Sequence, residues 1–292
     1  MNPIPIREQQ LLNNNSANFS LLSPRLVEWP DTLSLNQKDS SNTNMMQILF
    51  DKSNMSFSTA SYVLRNIRAK QKRYIDSLRR DFDIVVNSIN AKTISPFVTG
   101  LGSGHPTETG LILDRNSGFP YIPASSIKGV LRLAYALNLY NENSEEYQER
   151  DNNGEIKKGV IADNYLKEFF GNLEQRGALI ILDAFPIYLQ NQPIFNIDLI
   201  NPHFRSYYEG TGVSQPVETE SPSPKKFLTV RQGTQFTFHY AYLPVENKML
   251  SESEKEKVKS KIDAMFKTAF ETVGFGGKTA IGYGRFKEIK EK

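Results

Sequence analysis

The feature that most constrains this chain is a glycine-rich segment close to its C-terminal end. Residues 273–286 read VGFGGKTAIGYGRF, in which five glycines accompany the cations Lys278 and Arg285. A glycine-dense backbone can enter left-handed conformations and can approach a ligand very closely. Because bare amide groups flanked by cations bind phosphate oxygens well, the segment predicts contact with a phosphate backbone. A glycine-rich hairpin that serves only the turn is the alternative.

The order of the elements around this segment argues against a nucleotide-hydrolysing enzyme. Gly277, Lys278 and Thr279 imitate the end of a P-loop, but Thr272 stands where the first glycine of that motif belongs. A P-loop is followed by a helix, whereas here a helical pattern precedes the segment and a strand-like pattern follows it. The dinucleotide-binding spacing of three glycines also fails at each possible start.

Hydrophobic periodicity predicts the remaining elements. Helices are expected over 58–88, 125–140, 161–170 and 251–272, and strands over 92–99, 178–182, 235–242 and 284–289. Ser125 is the expected N-cap of its helix. Residues 187–226 are expected to form a loop, because they contain five prolines and little apolar periodicity.

The core order β-α-β-β-α-β predicts an α+β, ferredoxin-like (RRM-like) fold, with an antiparallel sheet, both helices on one face and the other face open. Residues 1–55, rich in Asn, Ser, Gln and Pro, form a partly irregular N-terminal extension in this prediction. Residues 56–292 form a single domain with insertions near 141–176 and 187–233.

Charge is concentrated locally. The chain has a net charge of only +3 over 292 residues, so overall basicity does not indicate nucleic acid. The helix predicted over 58–88 has its basic residues opposite its apolar face. This pattern fits a solvated surface, or contact with RNA phosphates or an acidic partner. The basic residues are Arg65, Arg68, Lys70, Lys72, Arg73, Arg79 and Arg80.

A second cationic site is predicted at the start of the helix over 125–140. Lys128 and Arg132 are four residues apart and therefore share a face. Two cations near a helix N-terminus oppose its dipole, and an anion bound there would offset that cost. An ordinary surface pair is the alternative.

No cofactor or metal is expected. The chain has no cysteine, and its three histidines lack the spacing of a zinc site. Glu108, Asp114 and Asp183 could form a carboxylate site only if the fold united them. There is neither a signal-peptide pattern nor an apolar run of about 20 residues, so a cytoplasmic protein is expected.

Four blocks of sequence form a recognisable set. They are GLGSGHPTETG at 100–110, PYIPASSIKG at 120–129, Phe170-Gly171 followed by GALIILDA at 177–184, and the spaced glycines of 274–284. Together they resemble the RAMP superfamily of CRISPR-Cas proteins, and within it most resemble the sixth-subunit family of the type III-B (Cmr) effector complex. The resemblance covers about residues 92–286.

This resemblance implies a non-catalytic subunit that binds guide RNA and caps the filament of an RNA-targeting antiviral complex near the guide 3′ end. The implied partners are guide RNA, target RNA, a repeated backbone RAMP subunit and another end-capping RAMP subunit, with a small helical subunit as a further candidate. The implied RNA-binding residues are Ser125, Ser126, Lys128, Arg132, Gly274, Gly276, Gly277, Lys278, Thr279, Gly282, Gly284 and Arg285.

The resemblance also implies a hairpin, the thumb, that wedges into guide–target pairing. Its candidate contacts are His203, Phe204, Arg205, Tyr207 and Tyr208, whose aromatic members could stack on bases.

Two other functions stay open at this point. One is an endoribonuclease of the same broad fold, with His105 as general base and Lys128 or Lys278 stabilising charge. It would cut RNA without metal and lose activity in His105→Ala. The other is a protein-binding scaffold, which would have no RNA affinity and no salt dependence.

Overall fold

The structure is a computed structural model that describes residues 57–102, 110–142, 164–187, 194–201, 207, 215, 224–245 and 249–290. The extension predicted over 1–55 lies outside the described residues. The helices are α1 (Phe57–Asp81), α2 (Ala124–Glu142), α3 (Asn164–Phe170) and α4 (Glu252–Thr268), followed by a π-helical turn (Ala269–Val273) and a 3-10 turn (Thr279–Ile281). The strands are β1 (Val85–Thr93), β2 (Leu179–Ile181), β3 (Phe185–Ile187), β4 (Phe195–Ile200), β5 (Lys225–Val230), β6 (Gln235–Tyr242) and β7 (Phe286–Glu288).

The larger sheet is antiparallel, with the strand order β2-β6-β1-β7 and with β3 also paired to β6. Its longest pairing joins β1 and β6, from Val85 opposite Tyr242 to Lys92 opposite Gln235. A second sheet contains β4 and β5, also antiparallel. The predicted α+β class is confirmed. In the described part of the chain, no helix is both long and apolar enough to cross a bilayer.

The first predicted helix is wrong at its C-terminal end. α1 ends at Asp81, and Val85 to Ser88 belong to β1 instead. Val85 continues the helical spacing by coincidence. The β-branched pair Val85 and Val86 favours a strand, and pairing along the whole of β6 stabilises it. The strand predicted over 92–99 lies earlier in the chain than expected, because β1 begins at Val85 and ends at Thr93.

The loop prediction for 187–226 is also wrong in part. Residues 195–200 form β4, which pairs with β5 from Phe195 opposite Val230 to Ile200 opposite Lys225. The partner of β4 lies about thirty residues further along the chain. Such distant pairing is invisible to local periodicity.

One face of the larger sheet packs against α2 and α4. Phe236, Phe238 and Tyr240 point to this side and are fully buried. Phe238 contacts the rings of Phe266 on α4 and of Phe286 on β7, with centroids 5.9 and 5.6 Å apart. These edge-on aromatic contacts form a rigid core beneath the glycine-rich segment.

The opposite face of the sheet is covered by α1, so the expectation that it lies open is wrong. Leu64, Ile75 and Leu78 of α1 are buried. The Arg68 guanidinium donates to Thr237 Oγ1 (3.4 Å), and the Gln71 amide donates to the Asp183 carbonyl (2.8 Å). Thr237 points away from the aromatic core, because side chains alternate along a strand.

The N-terminal caps of α4 and α2 differ in how far along the chain the capping residue lies. Ser251 caps α4 through a reciprocal capping box with Glu254, as its sequence pattern favours. Ser125 does not cap α2, which already begins at Ala124. Instead, the Asp183 carboxylate accepts a hydrogen bond from the Ala124 amide at 2.7 Å. That cap comes from 59 residues away, which local sequence could not indicate.

His239 makes stability depend on pH. Burial, with a smaller contribution from the positive charge of Arg68, lowers its pKa to about 4, and the negative charge of Asp76 partly opposes this shift. Its Nδ1 lies 2.7 Å from Ser88 Oγ. Between pH 6.5 and about 4, the unfolded chain therefore takes up a proton that the folded chain does not.

We expect the free energy of unfolding to fall by up to about 2 kcal/mol across that window because of His239 alone. Urea unfolding of the wild type and of His239→Gln at a series of pH values checks this, since carboxylates titrate equally in both. A difference between the two that stays constant from pH 7 to pH 4 would contradict it.

Candidate nucleic-acid interface

The glycine loop, defined as residues 274–285, is anchored in the aromatic core at both ends. Phe275 near its start and Phe286 just after it are fully buried, and their rings meet edge-on with centroids 5.6 Å apart. The π-helical turn after α4 leads into the loop. The loop is therefore held firmly at its base.

Three glycines of the loop are required by its own close packing. Gly274, Gly276 and Gly284 all have positive φ angles. A Cβ on Gly276 would lie 2.2 Å from the Val98 carbonyl oxygen, and one on Gly284 would lie 1.9 Å from the Phe275 carbonyl oxygen. These positions allow the backbone to meet itself and the segment after β1.

The tip of the loop has a different character. Lys278 has a φ of 60°, the only positive value of a non-glycine residue in the described ranges. No described residue accepts a hydrogen bond from the backbone amides of Lys278, Thr279 or Ala280. Ile281 is 68% exposed, and a Cβ on Gly282 would meet open space. A left-handed residue followed by a turn is the geometry of a backbone anion site.

Aromatic side chains position the cation beside these amides. Lys278 Nζ lies 5.3 Å from the Phe227 ring centre and 5.7 Å from that of Tyr283. The Tyr283 hydroxyl donates to Asp198 Oδ2 at 2.5 Å. Burial, together with the hydrogen bond to Asp198 and its negative charge, raises the Tyr283 pKa to about 12. The smaller sheet, through Asp198 and Phe227, thus supports the loop.

Arg285 closes the loop. Its Nη2 donates to the Thr279 carbonyl (3.2 Å), and its backbone amide donates to Ser95 Oγ (3.0 Å). Nη1 is buried and has no hydrogen-bond partner among the described residues. It also lies only 2.8 Å from where a Cβ on Gly274 would stand. The donors of Nη1 are therefore unused by the described residues and shielded from solvent.

The start of α2 holds the other predicted RNA-binding residues, and their surroundings differ. Ser125 and Ser126 are exposed. Lys128 Nζ donates to the Leu179 carbonyl at 3.0 Å, and burial lowers its pKa. The exposed Arg132 lines a cleft with Lys167 and Phe170 of α3. No described hydrogen bond joins either cation to the glycine loop.

The possible carboxylate site is only partly assembled. Asp114 and Asp183 both face Tyr121, whose pKa is raised by burial and then by these two negative charges. Asp114 accepts from the Ser117 amide and hydroxyl, both at 2.7 Å. Glu108 and His105 lie outside the described residues. Among the described residues, no three His, Asp or Glu side chains are placed to share a metal ion.

The predicted thumb lies mostly outside the described residues. This applies to His203, Phe204, Arg205 and Tyr208, whereas Tyr207 is described and is 42% exposed. The thumb sequence connects β4 to β5, the two strands that support the glycine loop. A conformational change at the loop tip is therefore expected to reach β4 and β5, the strands that flank the predicted thumb.

Sequence reasoning missed the residues that support the loop. Asp198 and Phe227 lie in β4 and β5, and no short-range signal links them to a segment more than fifty residues further along. Ser95 gave no signal, because it lies just after β1 in a segment that has no regular secondary structure. Tyr283 was the one available signal, since it is an aromatic residue between two glycines.

Comparison with known proteins identifies relatives over most of the chain. The family model described as the RAMP superfamily matches residues 90–287. The chain is 29% identical over 269 residues to the CRISPR system Cmr subunit Cmr6 of Pyrococcus furiosus, covering 76% of each protein. It is 25% identical over 241 residues to the Cmr6 subunit of Saccharolobus solfataricus, covering 79% of this chain and 70% of the relative.

A solved structure shares the fold. It is a cryo-EM structure of the type III-B Cmr-beta complex bound to cognate target RNA, of which one chain matches with a TM-score of 0.56 and 20% sequence identity. The match covers 97% of this chain and 86% of the other. At this identity, the likeness concerns the fold alone.

Proposed function

Because this chain belongs to the RAMP superfamily, we propose that it is the guide-RNA-binding Cmr6-type subunit of a type III-B CRISPR-Cas effector complex. The similarity to two Cmr6 subunits over about three quarters of the chain supports this assignment. The fold shared with a chain of a Cmr complex bound to target RNA agrees with it.

The observation that carries the proposal is the tip of the glycine loop. Its backbone amides at 278–280 have no described acceptor, and they lie beside a lysine that aromatic rings position. A phosphate group supplies the acceptor oxygens and the negative charge that such a site lacks. RNA offers a phosphate at each nucleotide, and the exposed Ile281 can rest against a ribose or base.

The residue roles follow from this placement. Lys278 and Arg285 hold phosphates of the guide, with Thr279 and Gly282 close to the strand and with Gly277 beside them. Gly274, Gly276 and Gly284 act indirectly, since they allow the loop to take its shape. Ser125, Ser126 and Arg132 extend the contact along the exposed start of α2, and Lys128 does so only by leaving the Leu179 carbonyl.

We also infer that the core is ferredoxin-like. β1, α2, β2, β6, α4 and β7 follow the order β-α-β-β-α-β. Helix α2 connects β1 to β2, which lie on either side of β6. Helix α4 connects β6 to β7, which lie on either side of β1, as the strand order β2-β6-β1-β7 supports. α1, α3 and the β4–β5 sheet are additions to that core.

Within the complex, we propose that the chain caps the backbone filament near the guide 3′ end, in the cytoplasm. Its protein neighbours would be a repeated backbone RAMP subunit, another end-capping RAMP subunit and a small helical subunit. The thumb between β4 and β5 would contact the guide–target duplex. The subunit itself would not cut RNA.

Lys278→Gly tests the loop without unfolding it. Glycine accepts the left-handed conformation at no cost, which gains about 1 kcal/mol, while removal of the cation–π interaction costs a similar amount. We therefore expect an unchanged melting temperature but about a tenfold weaker affinity for single-stranded guide RNA at low salt. Fluorescence anisotropy measures the affinity, and gel analysis of the same samples should find the RNA intact.

Lys267→Gln is the matched control, because it removes one exposed positive charge on α4, outside the glycine loop. It should bind RNA like the wild type. If Lys278→Gly and Lys267→Gln bind RNA with equal affinity, the loop tip is not part of the RNA-binding site. Cleavage of the RNA would instead favour the nuclease function, for which His105→Ala is then the decisive variant.

A further inference from the structure

α1 carries more positive charge than the whole chain does on balance. Its 25 residues contain seven Arg or Lys side chains and two Asp side chains, a net charge of +5. The complete chain has a net charge of only +3. A helix of this kind on a nearly neutral protein marks a local electrostatic surface.

Part of this charge is used within the molecule. Arg68 turns inward to Thr237. Arg79 pairs with Asp76 at 3.6 Å, and Arg80 pairs with Asp81 at 3.0 Å. Neutralisation within the molecule thus explains only the last two turns of the helix, from Asp76 to Asp81, and its inner side.

Four cations remain. In the part of the chain that the structure describes, no carboxylate lies within ion-pair distance of them, and all four side chains are exposed. They are Arg65, Lys70, Lys72 and Arg73.

Two exposed tyrosines stand among these cations. Tyr62 is 61% exposed and Tyr74 is 46% exposed. Along α1, no other large apolar side chain is exposed in the described residues. A protein interface places apolar side chains at its centre and is depleted in lysine. Cations interleaved with aromatic rings instead match single-stranded nucleic acid, whose bases stack while its phosphates pair.

The direction of α1 brings the N-terminal end of this face, with Tyr62 and Arg65, toward the glycine loop, and the rest of the face continues away from the loop. Arg68 meets Thr237, which pairs with Asn90 of β1, and the C-terminal end of α1 leads directly into the start of β1. α1 therefore runs opposite to β1. Its first eleven residues extend roughly 16 Å beyond Arg68, toward the level of Ile94, whose amide bonds to the Arg285 carbonyl.

We propose that the exposed face of α1 is a second RNA-binding surface, on which single-stranded RNA continues from the glycine loop. Arg65, Lys70, Lys72 and Arg73 contact phosphates, while Tyr62 and Tyr74 stack on bases. This inference rests on the proposed function, because it extends the path of the RNA bound there.

The test uses the full chain and a fluorescein-labelled oligouridine of about 16 nucleotides. The α1 variant is Arg65→Gln, Lys70→Gln, Lys72→Gln and Arg73→Gln together. Its matched control removes four exposed lysines elsewhere: Lys257→Gln, Lys259→Gln, Lys267→Gln and Lys290→Gln. Affinity is measured over a series of salt concentrations, with circular dichroism to check that the helices are intact.

We expect the α1 variant to bind about tenfold more weakly at low salt than the control. We also expect the slope of the logarithm of its binding constant against the logarithm of the salt concentration to become less negative, by about 0.7 for each phosphate that the variant no longer binds. Photocrosslinking with 4-thiouridine in the wild type should label Tyr62 or Tyr74. An α1 variant that matches the control, with no crosslink in α1, would overturn the inference.

The arms also separate this inference from the proposed function. If Lys278→Gly weakens binding and the α1 variant does not, the glycine loop binds RNA and α1 does not. If the wild type binds no RNA, both proposals fail. If the α1 variant binds RNA normally but loses a protein subunit on purification from the host, the face serves an acidic protein and the inference is overturned.

Discussion

Gly284→Ala is expected to lower the free energy of unfolding by roughly 3 to 5 kcal/mol. Gly284 has a φ of 69°, where an L-residue is strained, and the new Cβ would lie 1.9 Å from the Phe275 carbonyl oxygen. That oxygen belongs to the backbone, so no side-chain rotation can relieve the overlap. Phe275 cannot retreat, because its ring is fully buried in the aromatic core.

Gly277→Ala is the control for Gly284→Ala. Gly277 lies outside the left-handed region, and its nearest neighbour would be Leu101 Cδ1 at 3.7 Å, an ordinary contact. We expect its stability to be unchanged or up to about 1 kcal/mol higher. Urea unfolding of both variants measures the difference. Two variants of equal stability would mean that the loop yields at Gly284, contrary to an anchored loop.

Arg285→Lys is expected to weaken guide-RNA binding by about ten- to a hundredfold, although the charge is retained. The guanidinium donates to the Thr279 carbonyl through Nη2, and its unpartnered, buried Nη1 can donate to a phosphate once the loop opens around it. A lysine ammonium is a single point of charge and cannot bridge both positions. Calorimetry or anisotropy with single-stranded guide RNA measures the loss.

Arg231→Lys controls for the chemistry of the substitution, because Arg231 is an exposed arginine outside the glycine loop. It should leave RNA affinity unchanged. Arg285→Gln, which removes the charge, should be at least as weak as Arg285→Lys. If Arg285→Lys binds like the wild type while Arg285→Gln does not, the role of Arg285 is charge alone and not the fork of donors.

Placing these variants in one series separates two uses of the glycine loop. Gly284→Ala reports on its internal packing, and Arg285→Lys reports on its outward donors. Phe227 and Tyr283 link the two, since they hold Lys278 at the tip while packing against each other at 6.4 Å. A loss of stability without a loss of affinity, or the reverse, therefore assigns each residue to one use.

Local patterns were sufficient where an element is defined by its own residues. β6 was predicted over 235–242 and is observed over the same residues, because its alternating aromatic residues favour a strand, although both of its faces are buried. The start of the helix predicted over 251–272 is also local, since the capping box of Ser251 and Glu254 lies within four residues. The unusual backbone of the glycine loop was likewise evident, since positive φ angles require glycine.

Local patterns failed where a distant partner decided the outcome. Val85 to Ser88 became a strand because β6 pairs with them, and residues 195–200 became β4 because β5 does. Asp183 replaced Ser125 as the cap of α2 across 59 residues. The conformation of a single segment depends on these contacts as strongly as on its own propensity.

The amino-acid sequence was sufficient for the α+β class and for the place in the chain where backbone amides and cations meet, because periodicity, spacing and glycine content are properties of neighbouring residues. The family resemblance rests on four short blocks, which are equally local. Three features required the folded structure: α1 covers the second face of the sheet, the β4–β5 sheet supports Lys278 through Phe227, and most loop glycines serve internal contacts. Each of these depends on which distant surfaces come into contact, and that is settled by packing of the whole chain.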